Sequence, residues 1–91
     1  MSNGLYEEIL QRSKTIRDYN ELLQKADENT PSYREKLEVG KTICSATIQM
    51  IGNYRSIVST KIAELRRDEL DKVRTEAQKL EKIINNKLAS V

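Results

Sequence analysis

The chain has no phenylalanine, tryptophan or histidine, and only one cysteine and one proline among its 91 residues. Each absence removes a class of function. Without histidine, no side chain of ordinary pKa exchanges a proton near neutral pH, and no imidazole is available to a metal. A single cysteine, Cys44, excludes an intrachain disulfide and any metal site that needs two thiolates. No cluster of carboxylates falls on one helical face, so general acid–base catalysis has no evident agent. A non-catalytic protein is expected, with no cofactor, no metal and no small-molecule substrate.

Long hydrophobic runs are missing too. The least charged stretch, Thr42 to Thr60, holds too many Ser, Thr, Gln and Asn residues to lie in lipid. The start of the chain lacks the basic-then-apolar order of a secretory signal and contains Glu7 and Glu8. No membrane association is expected, and the cytoplasm is the default location.

Without Phe or Trp, the core has to be built from Leu, Ile, Val, Ala, Met and four Tyr. A single domain, 1–91, is of a size where one core leaves a small stability margin, and self-association is a common way to bury more apolar surface. Net charge is only +2: residues 1–50 contribute −1 (seven bases, eight acids) and residues 51–91 contribute +3 (nine bases, six acids). In the second half Arg66, Arg67, Lys72, Arg74, Lys79 and Lys82 alternate with Asp68, Glu69, Asp71, Glu76 and Glu81. That is the pattern of a solvated, salt-bridged helix face, whereas nucleic-acid binders concentrate cations in a stripe.

What is present is helical periodicity. Leu5, Ile9, Ile16, Tyr19, Leu23 and Ala26 recur at threes and fours, interrupted by Arg12, and predict a helix over about 3–27. Ser2 or Asn3 can cap it, while Glu8–Arg12 and Glu21–Lys25 are i,i+4 pairs. A turn follows at 28–31, where Pro31 suits the first position of the next helix and Thr30 its N-cap. The second stripe runs through Tyr33, Leu37, Gly40, Cys44, Ile51, Tyr54, Val58 and Leu65, flanked by Ile43, Ile48, Met50, Ile57 and Ile62. It predicts a helix over about 32–62. An arc this wide can contact two other helices.

Leu70, Val73, Ala77, Leu80 and Ile84 continue the spacing over about 66–90. The join between these last two segments has three readings: a turn near Arg66–Asp68, a turn at Gly52–Asn53, or one unbroken helix. Good helix formers across Ala63–Lys72 favour the long or mildly bent helix. The expected fold is therefore all-α, an antiparallel helical hairpin extended to a three-helix or long-helix coiled-coil bundle, and dimeric.

Three local features bear on function. Gly40-Lys41-Thr42 resembles the end of a phosphate-binding loop, but Glu35 stands where the motif needs glycine and no β-strand precedes it; close helix packing, or a helix C-cap, accounts for Gly40. Cys44 lies on the apolar stripe and reads as a buried, inert thiol. The four tyrosines, Tyr6, Tyr19, Tyr33 and Tyr54, read as core residues with a polar tip.

The most informative feature is a charge desert. From Thr42 to Thr60, in a chain that is 33% charged, Arg55 is the sole charged residue. Charges stay solvated unless paired, so a helix that sheds them is expected to be enclosed, partly by its own chain and partly by a partner. The candidate partner interface is Ser45, Gln49, Gly52, Asn53, Arg55, Ser56, Ser59 and Thr60, either with another protein or with a second copy. Arg55 is read there as an interface anchor or as a stem lying along the stripe with its guanidinium in water. The alternative function is nucleic-acid association through Arg55, Lys61, Arg66, Arg67, Lys72 and Arg74.

Overall fold

The periodic segments fold into four α-helices: α1 (Ser2–Lys25), α2 (Ser32–Ile57), α3 (Thr60–Leu65) and α4 (Arg67–Ser90). This is a computed structural model that describes residues 2–90, with side chains from Gly4 to Ser90. The capping role of Ser2 or Asn3 lies outside those described side chains. No strand occurs among the described residues.

Side-chain pairs give the directions of the long helices. Tyr6 bonds Glu69 and Ser13 bonds Glu76, both 63 positions apart, so α1 and α4 run parallel and in register. Between α2 and α4, Ser45 meets Glu81 and Arg55 meets Asp71; the numbers move in opposite senses, so these helices are antiparallel. Helix α2 packs against both α1 and α4, those two pack against each other, and α3 lies on α4. The result is a rod of 48 × 19 × 18 Å.

The expected long helix does not form. Helix α2 ends at Ile57, Val58 is extended (φ −99°, ψ 163°), and Ser59 caps α3 by accepting a bond from the Ile62 amide at 3.3 Å. A second bend at Arg66 (φ −104°, ψ 5°) starts α4. Two β-branched residues followed by two good N-cap residues, Ile57-Val58-Ser59-Thr60, form the break. Because the helical phase resets there, Leu65 and Ile62 leave the buried stripe and are 77% and 37% exposed. At the first turn the cap falls one residue later than expected: Pro31, with φ −59°, stands at the N-cap of α2 and Ser32 is its first residue, while the Thr30 hydroxyl donates to the Asp27 carbonyl at 2.8 Å.

The core positions of α2 are Tyr33, Leu37, Gly40, Cys44, Thr47, Ile51 and Tyr54, alternating steps of four and three along one seam. Leu70, Val73, Ala77, Leu80 and Ile84 do the same on α4. Two apolar clusters result. One gathers Ile16, Leu23, Leu37, Cys44 and Ile84 with others, and the second gathers Ile9, Ile51, Tyr54, Leu70 and Val73. At the level between them the residues are polar. Ser13 donates to both carboxylate oxygens of Glu76 at 3.0 and 3.1 Å, and fully buried Thr47 donates to its own helix at Ile43 O, 2.8 Å. Sliding α1 by one turn would put Ser13 against hydrocarbon, so this layer fixes the register.

Gly40 is where α2 is approached most closely. The Tyr19 ring lies across the turn that begins at Lys36, and its hydroxyl donates to the Lys36 carbonyl at 2.6 Å. A Cβ on residue 40 would come within 2.8 Å of both that ring and Ile84 Cδ1. At Gly52 a Cβ would meet nothing within 4 Å. The two glycines should therefore respond oppositely to alanine in urea denaturation. Gly52→Ala is expected to stabilise by about 0.5–1 kcal/mol through helix propensity. Gly40→Ala is expected to lose stability despite the same propensity gain, since overpacking costs about 1–3 kcal/mol; a stabilised Gly40→Ala would contradict the contact.

Candidate interaction surface

A helix buried along one seam turns its opposite side outward. On α2, Ser45, Gln49, Gly52, Asn53 and Ser56 share that outer side and are exposed. The chain's own helices thus cover the seam and its flanks and leave the small, polar face open, the part for which a partner was expected. Every exposed residue from Thr42 to Thr60 is uncharged. Outer α4, by contrast, exposes Lys72, Arg74, Lys79 and Lys82 alongside Asp68 and Asp71.

The outer face is incompletely satisfied by the chain itself. Ser45 Oγ donates to Glu81 at 2.9 Å, and Ser56 Oγ donates to the Asn53 carbonyl at 2.7 Å. The side-chain amides of Gln49 and Asn53 have no partner among the described residues, and Gly52 leaves a gap beside them. Ser59 and Thr60 lie apart from this row, at the α2–α3 corner, where Ser59 acts as the cap already described. Arg55 faces α4, not the outer side, and its guanidinium pairs with Asp71 at 2.5 Å with both side chains partly exposed. A pair of that exposure contributes about 0.2–1 kcal/mol.

Sequence reasoning missed the apolar ends of this face. Val39 is 52% exposed at one end and Ile57 63% exposed at the other. Val39, Ile43 and Thr42 line a shallow hollow rimmed by Glu35 and Glu38. Ile57 was readable as a flank of the stripe, and only the end of α2 at that residue brings it into the open.

The six alternative cations do not converge. Arg66 packs its guanidinium 4.0 Å over the Tyr6 ring and donates to Tyr54 Oη, so it is committed to structure. Arg55 is paired with Asp71 and Arg67 with Asp68. Lys61, Lys72 and Arg74 carry no ion pair among the described residues. They are nonetheless divided: Lys61 is on α3, Lys72 borders the α1–α4 groove and Arg74 the α2–α4 groove.

Cys44 is fully buried, and burial first, then nearby Glu81, pushes its thiol up to about 11. Among the described residues no group of His, Cys, Asp or Glu is arranged to hold a metal, and no helix is long and apolar enough to cross a membrane. Compared with protein-family models, curated proteins and solved structures, the chain matches none of them.

Tyr6 ties this end of the rod together. Its hydroxyl donates to Glu69 Oε2 at 2.6 Å and its ring stacks at 5.7 Å on Tyr54. Burial first, then the bond to Glu69, raises its pKa to about 12. The unfolded value is about 10, so the stabilisation linked to this proton is complete below pH 10 and is lost as pH rises through 12. An absorbance titration should show a late tyrosinate step that Tyr6→Phe removes, together with part of the alkaline loss of stability; an unchanged titration in that variant would contradict the bond.

Proposed function

We propose that this chain is a non-catalytic protein–protein interaction module, of the kind used as adaptors, co-chaperones, assembly subunits or small protein inhibitors, and that the outer face of α2 is its binding surface. The carrying observation is the run of exposed, uncharged residues from Thr42 to Thr60 on a molecule whose other surfaces are charged. Solvated helix faces keep their charges, and interface centres are depleted of them. The free amides of Gln49 and Asn53 supply specificity, and Gly52 lets another backbone approach. The three long helices form a bundle of coiled-coil type, whose core spacing of threes and fours presents this face rigidly. A lone thiol without a disulfide partner suits the cytoplasm.

Nucleic-acid association remains the second reading, and the structural commitments of Arg55, Arg66 and Arg67 weigh against it. One experiment separates the two. The intact chain is used as bait in extract from its native host, alongside Gln49→Arg and Ser56→Arg on the outer face of α2 and Lys79→Glu and Lys82→Glu on α4. The interaction reading expects a discrete protein that the α2 variants lose by tenfold or more and the α4 variants retain, unaffected by nuclease. Capture that ignores the α2 variants, or that depends on the α4 lysines and disappears with nuclease or moderate salt, would overturn it.

A further inference from the structure

The two ends of the α2 outer face are complementary to each other. At the N-terminal end, Val39 and Ile43 floor a shallow hollow whose rim carries Glu35 and Glu38. At the C-terminal end, Ile57 projects 63% exposed, and α3, which carries Lys61, follows directly. Glu35 and Lys61 have no ion pair within the chain among the described residues. About 27 Å separates Val39 from Ile57 along the helix axis, and Lys41 is the one charged residue among the exposed positions between them.

Resting on the interaction face proposed above, the geometry points to a second copy of this chain as an occupant of that face, packed antiparallel with the twofold axis passing beside Ala46 and Gln49. In that arrangement each Ile57 enters the hollow of the other copy at Val39, and each Glu35 is brought toward the α3 that carries Lys61. Thr42 falls level with Asn53 of the other copy, so the polar side chains that α2 leaves unpaired face hydroxyl and amide groups. Gly52 and Ser45 keep side-chain bulk away from the axis, as close helix approach requires. A twofold contact is self-complementary by construction, and both ends of the face are used twice.

The alternative pairing is excluded by the same residues. A parallel copy would set Glu35 against Glu35 and Lys61 against Lys61, with hollow facing hollow. The face of one helix is narrower than a standard interface of about 800 Å² per partner, so the dimer is weak and concentration-dependent.

Sedimentation equilibrium of the intact chain, from micromolar to millimolar concentration, tests this. The expected result is a mass rising from 10.5 kDa toward twice that value. Val39→Glu and Ile57→Glu alter exposed positions; they should keep the helical circular dichroism and urea midpoint while weakening dimerisation at least tenfold. Gln49→Cys, beside the axis, should form a disulfide-linked dimer on mild oxidation, and Lys82→Cys on outer α4 should not; native Cys44 is buried and stays out of the reaction. A monomer at every concentration overturns the proposal, as does a dimer indifferent to both Glu substitutions or one that cross-links at residue 82 and not at 49. None of these results touches the broader interaction reading, which is decided by the capture of host protein on the α2 face.

Discussion

Every other property of the molecule depends on the burial of α2 along a single seam. Seven positions from Tyr33 to Tyr54, alternating by three and four, take up the contacts with α1 and α4. Helical geometry then leaves no freedom about the opposite side: residues on the back of that seam look outward. The closest contact, Tyr19 against Gly40, clamps the helix at one rotation about its own axis, because any side chain at position 40 would collide with the ring. A rotated α2 would bury Gln49 or Asn53 and expose Leu37 or Ile51, with a polar and an apolar penalty together.

The reversal at Val58–Ser59 is the second requirement. It brings α4 back along α2 and so supplies the partner for the seam that α1 leaves uncovered. Arg66 secures this corner from the far side, stacking on Tyr6 of α1 and donating to Tyr54 of α2 from its place between α3 and α4. At the opposite end Glu28 accepts from both Lys87 and Tyr33, which joins the first turn to the last turns of α4 and lowers the Glu28 pKa through the lysine. Both ends of the rod are thus tied by side chains from three segments, while the middle is registered by the Ser13–Glu76 pair. The outer face of α2 takes part in none of these ties; Ser45 bonds Glu81 separately.

Much of the fold was legible in the sequence because it is local. The stripes on α1, α2 and α4, the turn ahead of Pro31, the packing role of Gly40, the buried thiol and the tyrosines with bonded tips all follow from spacing and residue chemistry. The break after Ile57 was not, since Ala63 to Lys72 are good helix formers and Val58 and Leu65 continue the seven-residue spacing from Ile51. That continuity is numerical only; once the phase resets, Leu65 is in solvent. Ser13 was hidden by its neighbour: Arg12 interrupts the apolar stripe, and the serine beside it fills the slot by bonding Glu76. Arg55 could not be placed without knowing that Asp71 returns beside it. As for the candidate surface, the missing charges were visible in the sequence, whereas their openness in the single chain was not, because enclosure depends on how many helices the chain itself can bring to α2.

An exposed surface without charge is the feature that links this fold to a role, as a face for other protein to cover, a second copy among the occupants. Amide chemical shifts followed by two-dimensional NMR through a dilution series report on that cover residue by residue. The expected result is concentration-dependent shifts confined to the outer side of α2, with Val39, Thr42, Gln49, Asn53 and Ile57 moving together and Lys72, Lys79 and Lys82 still. Shifts centred on α4 or α1, or a spectrum unchanged up to millimolar concentration, would contradict the covering of that face by a second copy.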